Sequence, residues 1–395
     1  MIQQIAPFIL ICMSLPPIVL AQKENTIDVN WKKAAELPPS DGQSKSLGFA
    51  GAINGVSNDV FIVAGGANFP NGLPWEGGKK YYSNEIHVLQ KEGKDFVWNK
   101  KVKHTLAEPI AYCGNTSTEK GIVYAGGENE HGISDKAFLI NFDKDKSEIV
   151  VKPLPAMSLA LTNVALTHIG NVVYAAGGDE ARNSSNSFFS LDLDDVNPQW
   201  KTLPDLPVAL ANTTAIAQNG KYGKEIFIIG GRTKTTSGIS ELQHTVFAFD
   251  IQKQQWKKCA DISDGKNISN LSAAAGIALD KNYILMIGGD NGIVFHKIET
   301  YISQIAKAGT KEEKEKLTKE KNALSIHHKG FYKGLLLYDT KHNKWTNIGD
   351  YPFPAQVTTT AAKWGNEIVI SNGEIKPGIR TPDVLVGYEV GHKEK

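Results

Sequence analysis

An apolar run that ends in two glycines recurs along this chain, and no other feature limits its fold so strongly. The copies are Val60-Phe-Ile-Val-Ala-Gly65-Gly66, Gly121-Ile-Val-Tyr-Ala-Gly126-Gly127, Val172-Val-Tyr-Ala-Ala-Gly177-Gly178, Ile226-Phe-Ile-Ile-Gly230-Gly231 and Tyr283-Ile-Leu-Met-Ile-Gly288-Gly289. A sixth, altered copy is Ile368-Val-Ile-Ser-Asn372-Gly373. The intervals are 61, 51, 53, 58 and 84 residues. A short apolar run bounded by glycines is the mark of a buried strand, and its regular return implies one supersecondary unit stacked on itself.

Each doublet is followed by a loop and a second apolar strand that ends in polar residues, as in Ala137-Phe-Leu-Ile-Asn-Phe-Asp143, Thr245-Val-Phe-Ala-Phe-Asp250 and Leu335-Leu-Leu-Tyr-Asp339. A tryptophan follows, usually with prolines: Trp98, Trp200 before Pro204 and Pro207, Trp256, and Trp345 before Pro352 and Pro354; Val150-Val151 stands in the place of one. A strand of small residues, such as Ala211-Asn-Thr-Thr-Ala-Ile216, precedes the next doublet. Four strands per unit, at the kelch period of roughly 50 residues, make one propeller blade. The ends of the chain supply complementary pieces. Trp31-Lys-Lys-Ala-Ala-Glu-Leu-Pro38-Pro39 is an outer strand with no blade before it, and Val384-Leu-Val-Gly-Tyr388 has no tryptophan strand after it. The expectation is an all-β, six-bladed kelch-type propeller over residues 22–395, one domain, its ring closed by the N-terminal strand completing the last blade. One segment departs from the plan. Residues 297–329, rich in alternating Lys and Glu, lie inside the fifth unit and predict a helical insertion, read as a solvated excursion, a lid over the axial opening or a homodimer contact.

Composition adds limits rather than identity. The 395 residues carry 43 Lys+Arg against 42 Asp+Glu, so no strong field recruits nucleic acid or an acidic membrane. Residues 1–22 carry no charged side chain, and the apolar stretch ends Val19-Leu-Ala21. That pattern predicts a signal peptide over 1–21 and export, with no membrane attachment after cleavage. Cys113 and Cys259, in different repeats, are read as unpaired packing residues. Asn-x-Ser/Thr triplets occur at Asn115, Asn183, Asn212, Asn267 and Asn270.

Because the doublets end equivalent strands, the loops after them should open on one face and pool their polar residues around a single axial mouth. The candidates are Asn68, Trp75 and Glu76 in the first loop, Glu128 and Glu130 in the second, Asp179, Glu180 and Arg182 in the third, and Arg232 in the fourth. Asp290, Asn291 and His296 follow in the fifth, and Glu374, Lys376 and Arg380 in the sixth. The sixth loop, Asn372-Gly-Glu-Ile-Lys-Pro-Gly-Ile-Arg380-Thr, breaks the doublet and sets a carboxylate directly after it; the Pro377-Gly378 turn brings a guanidinium back six residues later. It reads either as a turn with an internal Glu–Arg pair or as an acid/base group beside a bidentate carboxylate clamp.

That loop resembles the Asn-Gly-Glu-x-Lys-Pro-Gly-x-Arg-Thr signature of the N-acetylneuraminate epimerase (sialic acid mutarotase) family. Gly48-Phe-Ala-Gly51, Val63-Ala-Gly-Gly-Ala-Asn-Phe69 and Tyr82-Ser-Asn-Glu-Ile-His87 resemble a second stretch of it, and their order here is similar to that of the family's cyclically permuted mutarotase group. The resemblance implies an exported, periplasmic isomerase that interconverts the α and β anomers of free N-acetylneuraminate without cofactor, metal or covalent intermediate. It implies Glu374 as the proton acceptor and Arg380 as the ligand of the sugar carboxylate. Lys376, Asn68, Arg182, Arg232 and Asn291 complete the expected substrate-binding set. Where inner strands of that family begin with an arginine, this chain has Ile110 and Leu210, and Arg182 and Arg232 are the candidate replacements. The reading from a different class is a non-catalytic kelch module that binds a sugar or a protein. A third is another sugar-processing enzyme on the same fold. No coherent His/Tyr/Cys set supports a copper radical oxidase, and no Gly-x-Ser-x-Gly elbow supports a serine hydrolase.

Overall fold

The computed structural model describes residues 27–102, 104–221 and 223–390. The signal-peptide expectation therefore lies outside the described residues. Six four-stranded antiparallel sheets form a six-bladed propeller. The first blade runs outward from the axis through Ile53–Ser57, Val60–Ala64, Ile86–Glu92 and Asp95–Trp98. The sixth uses Ala361–Trp364, Glu367–Ser371 and Asp383–Val390, and its outermost strand is Asp28–Glu36 from the other end of the chain. Trp31 lies opposite Gly387 in that pairing, so the ring closes as the orphan N-terminal strand predicted.

The continuous apolar runs follow from burial on both faces. In the first blade Val60, Ile62 and Ala64 pack toward the second blade, while Phe61 and Val63 pack toward the sixth. Alternation of side chains along a strand thus serves two interfaces at once. The same division gives six apolar clusters, one in each gap between neighbouring blades. The recurring tryptophans staple these gaps at the outside. Trp98, Trp200, Trp256 and Trp345 each donate Nε1–H to a carbonyl of the preceding blade: Glu36, Pro155, Pro204 and Ala260, at 2.7–3.1 Å.

The glycine doublets are required by close approach. A Cβ on Gly65, Gly177 or Gly230 would lie 2.1–2.5 Å from the carbonyl oxygen of Ile110, Leu210 or Leu271 in the next blade. The second glycine of the pair donates to that same carbonyl, as Gly66 N–H does to Ile110 at 2.8 Å.

Around the axis, one residue per blade closes a cycle of backbone hydrogen bonds. Tyr112 N–H donates to Gly51, Asn163 to Tyr112, Asn212 to Asn163, Ala273 to Asn212, Thr358 to Ala273 and Gly51 to Thr358, at 2.8–3.1 Å. All six have φ between +51° and +64°. One is glycine and two, Asn163 and Asn212, are asparagine, which tolerates the left-handed region; Tyr112, Ala273 and Thr358 hold it at a cost of about 1–2 kcal/mol each. Inside this cycle the small inner strands enclose a cavity of about 470 Å³ of mixed lining, its polar part including Asn54, Asn115, Asn163, Asn212 and Thr358–Thr360. Asn115 is buried and bonded to Thr360, and Asn212 belongs to the axial cycle; neither triplet offers an asparagine on the outer surface.

The insertion is two helices, α1 over Ile293–Lys307 and α2 over Lys311–Ile326, with no buried residue on either. It lies between the second and third strands of the fifth blade, as expected, but the first helix begins four residues earlier than the charge pattern suggested. Asn291 Oδ1 accepts the Ile293 N–H at 3.1 Å, and Gly292 at φ +82° turns the chain into the helix. Cys113 and Cys259 are free thiols. Among the described residues no helix is long and apolar enough to cross a membrane.

Candidate active site

The residue directly after each glycine doublet occupies an equivalent place at one mouth of the axis. These are Ala67, Glu128, Asp179, Arg232, Asp290 and Glu374, and each pairs with the residue just before the axial cycle: Ala50, Ala111, Thr162, Ala211, Ser272 and Val357. Four acids, one arginine and one alanine thus form a rim.

Glu374 owes its setting to Asn372. In the five other blades the first doublet glycine has φ +60° to +68°, and Asn372 holds φ +63° at the same place. Asparagine tolerates this region, and its side chain does more. Ile110, Leu161, Leu210 and Leu271 each donate N–H to a returning loop carbonyl, those of Ser83, Ser134, Ser185 and Gln243. The equivalent Phe49 N–H donates instead to Asn372 Oδ1 at 3.1 Å. The asparagine side chain replaces the loop carbonyl, and the sixth loop forms a two-stranded ribbon, Glu374–Lys376 with Ile379–Arg380, as the first, second and fourth loops also do.

In that ribbon Glu374 and Arg380 are direct cross-strand partners. Glu374 Oε2 lies 3.1 Å from Arg380 Nη2, and Oε1 accepts the Gly378 N–H at 2.9 Å. The Arg380 side chain is 5% exposed and its guanidinium lies over the Phe69 ring, 4.6 Å from the centroid. Its Nε and Nη1 are buried and no protein group accepts from them. A buried guanidinium with open donors is costly unless something fills them, and an anionic oxygen is the strongest acceptor for either. Burial pushes the Glu374 carboxyl above the usual range, with Asp290 acting in the same direction; Arg380, the Gly378 N–H and Lys80 pull it back only in part. Desolvation thus outweighs the ion pair, and Glu374 is a stronger base than a solvated glutamate.

The other expected residues divide. Asn68 is buried and donates to the Gly48 carbonyl at 3.1 Å, with its Oδ1 buried and without a hydrogen-bond partner. Lys376 is half-buried on the same ribbon, and after burial its charge adds to the lowering of the His328 imidazole's affinity for a proton, which Asp290 opposes. Arg232 is held by Asp179, Nη2 to Oδ2 at 2.5 Å, and Asp179 also accepts from Ser184 and Asn163. Its charge is therefore met within the rim, while Arg182 is exposed. Asn291 Oδ1 accepts the Ile293 N–H just before α1, Glu76 caps its own turn at the Leu73 N–H, His296 is exposed on α1, and Glu130 is exposed in the second loop. Glu180 is half-buried in its turn, and Trp75 lies against Gly378. Ile110 and Leu210 lie in interblade clusters, with their carbonyls taken by Gly66 and Gly178. Among the described residues no group of three or more His, Cys, Asp or Glu is placed to hold a metal ion.

Four side chains at the mouth were not singled out from the sequence as site residues. Lys80 Nζ lies 3.2 Å from Glu128 Oε1 and 4.9 Å from the centre of the Tyr112 ring, and the Tyr82 hydroxyl donates to the same Glu128 oxygen at 2.9 Å. Burial pushes the Tyr82 phenol up to about 12, so it remains a donor. Phe69 is the fourth. The local signal was the Lys79-Lys80 pair set directly before the Tyr81–Tyr82 strand.

The family model described as N-acetylneuraminate epimerase matches residues 154–393. Proteins named N-acetylneuraminate epimerase are similar to this chain. That of Haemophilus influenzae (strain 86-028NP) is 30% identical over 223 residues, 55% of each chain. That of Yersinia pestis (strain Pestoides F) is 27% identical over 212 residues, 52% of this chain and 51% of the relative. That of Brucella melitensis biotype 1 is 27% identical over 236 residues, 58% and 57%. The matched part is about half the length of these relatives. With the family model covering more than half of the sequence, this chain belongs to the N-acetylneuraminate epimerase family.

Proposed function

We propose that this chain is a mutarotase that interconverts the anomers of free N-acetylneuraminate. Family membership supports the substrate class, and one observation supports the chemistry: a buried glutamate made more basic by desolvation, beside a buried arginine with two unfilled donors. In the cyclic sugar acid the anomeric carbon carries a hydroxyl, the ring oxygen and a carboxylate. An open N–H of Arg380 donates to the carboxylate, which fixes the anomeric carbon beside Glu374. The ionised Glu374 takes the proton of the anomeric hydroxyl, the C–O bond to the ring oxygen breaks, and a ketone forms. Closure on the opposite carbonyl face, with the proton returned, gives the other anomer. A bound carboxylate also offsets the charge of Arg380 and so weakens its hold on Glu374.

Anomer exchange measured by NMR with two sugars tests this. Acceleration is expected for N-acetylneuraminate and not for its methyl ester, which lacks the anion; Glu374→Gln is expected to lower the rate by roughly 10²–10⁴-fold. Saturable binding without acceleration would favour a sugar-binding module instead.

A further inference from the structure

Opening a hemiketal moves two protons on two different oxygens, and Glu374 accounts for one of them. The rim supplies a second group at a place that its own composition leaves vacant. Going round the mouth, Glu374 of the sixth blade and Glu128 of the second are separated by Ala67 of the first, which carries no functional side chain. Ala67 pairs with Tyr82 in the short ribbon of the first loop, and Lys80 stands two residues before Tyr82. Its ammonium comes from this loop to Glu128 on one side, and its charge acts on Glu374 on the other. It is tethered to Glu128 at 3.2 Å and lies over the rings of Tyr82 and Tyr112, 5.5 and 4.9 Å from their centres. Tyr112 belongs to the axial cycle and lines the cavity beneath, so the ammonium is at the axial opening. Thr358, next to the partner of Glu374, is two steps from Tyr112 in that cycle, with Gly51 between them.

We propose that Lys80 is the general acid that protonates the departing ring oxygen, with Glu128 and Tyr82 as its positioning residues; this rests on the mutarotase reading. As Glu374 removes the anomeric hydroxyl proton, that oxygen's electrons form the carbonyl and the ring C–O pair goes to the ring oxygen. Lys80 gives that oxygen a proton and becomes a neutral amine. On closure the amine takes the proton back from the hydroxyl as it attacks the other carbonyl face, and Glu374 returns its proton to the carbonyl oxygen. Protons and electrons balance without a co-reactant. An ammonium is a weak acid, but a nascent alkoxide is a far stronger base than an amine. Of its three N–H donors only one is needed by Glu128, and the charge also helps hold Glu374 ionised beforehand.

The test is anomer exchange of N-acetylneuraminate by the unsubstituted chain, Lys80→Ala, Lys80→Met and Lys80→Arg, with rate and sugar affinity read separately and thermal unfolding as the folding control. Both neutral variants are expected to lose roughly 10²–10⁴-fold in kcat with less than about threefold change in affinity. Arginine, which keeps the charge but does not release its proton, is expected to stay slow, and added ethylamine to restore part of the Lys80→Ala rate. Should the alanine variant not fold, the methionine variant, which retains the aliphatic stem, carries the same comparison. Unchanged kcat with weaker binding would make Lys80 a substrate-anchoring cation and overturn the proposal. So would full recovery with arginine. No acceleration by the unsubstituted chain would overturn the mutarotase reading and this proposal with it.

Discussion

Glu374 shows how a single residue is poised for work at the expense of stability. Its carboxyl holds a proton more tightly in the folded chain than when solvated, because burial outweighs Arg380 and the Gly378 N–H. The sign follows from linkage. The stabilising contribution of a raised carboxyl is fully present below its unfolded pKa and is lost as pH rises through the folded one. At pH 7 the ionised glutamate therefore opposes folding. Glu374→Gln, a neutral isostere, should unfold at a higher temperature than the unsubstituted chain at pH 7 and show no advantage near pH 4. Calorimetry at the two pH values checks this; equal or lower stability at pH 7 would contradict the desolvation argument. The catalytic rate should run the other way, rising with pH through an acid limb displaced above the ordinary glutamate range. At this scale the sequence was legible where chemistry follows spacing. The Glu374–Arg380 pairing was implied by the Pro377-Gly378 turn, and the structure makes the two residues cross-strand partners. Lys80 was not legible, since its importance comes from Ala67 leaving a gap in a rim assembled from six distant segments.

At the scale of elements, the loops differ in what their backbone must do. Four loops return a carbonyl to the next blade, and the sixth is excused because Asn372 supplies its side-chain oxygen. Asn372 was read from the sequence as a broken doublet, although it preserves the backbone conformation of the glycine it replaces; only the hydrogen-bond partner shows why. The charge run locates the insertion but not its start. The charge run that signalled it begins at Lys297, whereas Asn291 and Gly292 set the true start and the apolar residues Ile293, Val294 and Phe295 form the first turn. The insertion is tied to the fourth loop through Glu299, which accepts from Ser240 N–H at 2.6 Å and Ser240 Oγ at 2.9 Å, but it buries no residue of its own. Replacing residues 293–326 by a short Gly/Ser linker should therefore leave the propeller folded, with the unfolding temperature changed by less than about 4 °C. Loss of the cooperative calorimetric transition would show that the helices are part of the core.

For the whole molecule, closure is what makes the mouth rigid. The outer strand from the N-terminal end, four tryptophan staples and the axial cycle each bind one blade to its neighbour at a different radius. Six repeats could be counted in the sequence because the glycine doublets mark every inner turn. The axial cycle could not be foreseen, since Gly51, Tyr112, Asn163, Asn212, Ala273 and Thr358 share a backbone conformation and almost no side-chain chemistry. Ala273 at φ +54° has no side-chain hydrogen bond to offset its strain. Ala273→Gly should accordingly raise stability by roughly 0.5–1 kcal/mol, the left-handed penalty less the added chain entropy. Urea unfolding checks it, and a net loss would mean that the cycle is not strained. The decisive measurement is proton NMR of freshly dissolved, anomerically enriched N-acetylneuraminate, with and without the chain. A faster approach to the same final anomer ratio, lost in Glu374→Gln, is the predicted result. An unchanged rate with a chain shown to be folded would contradict it.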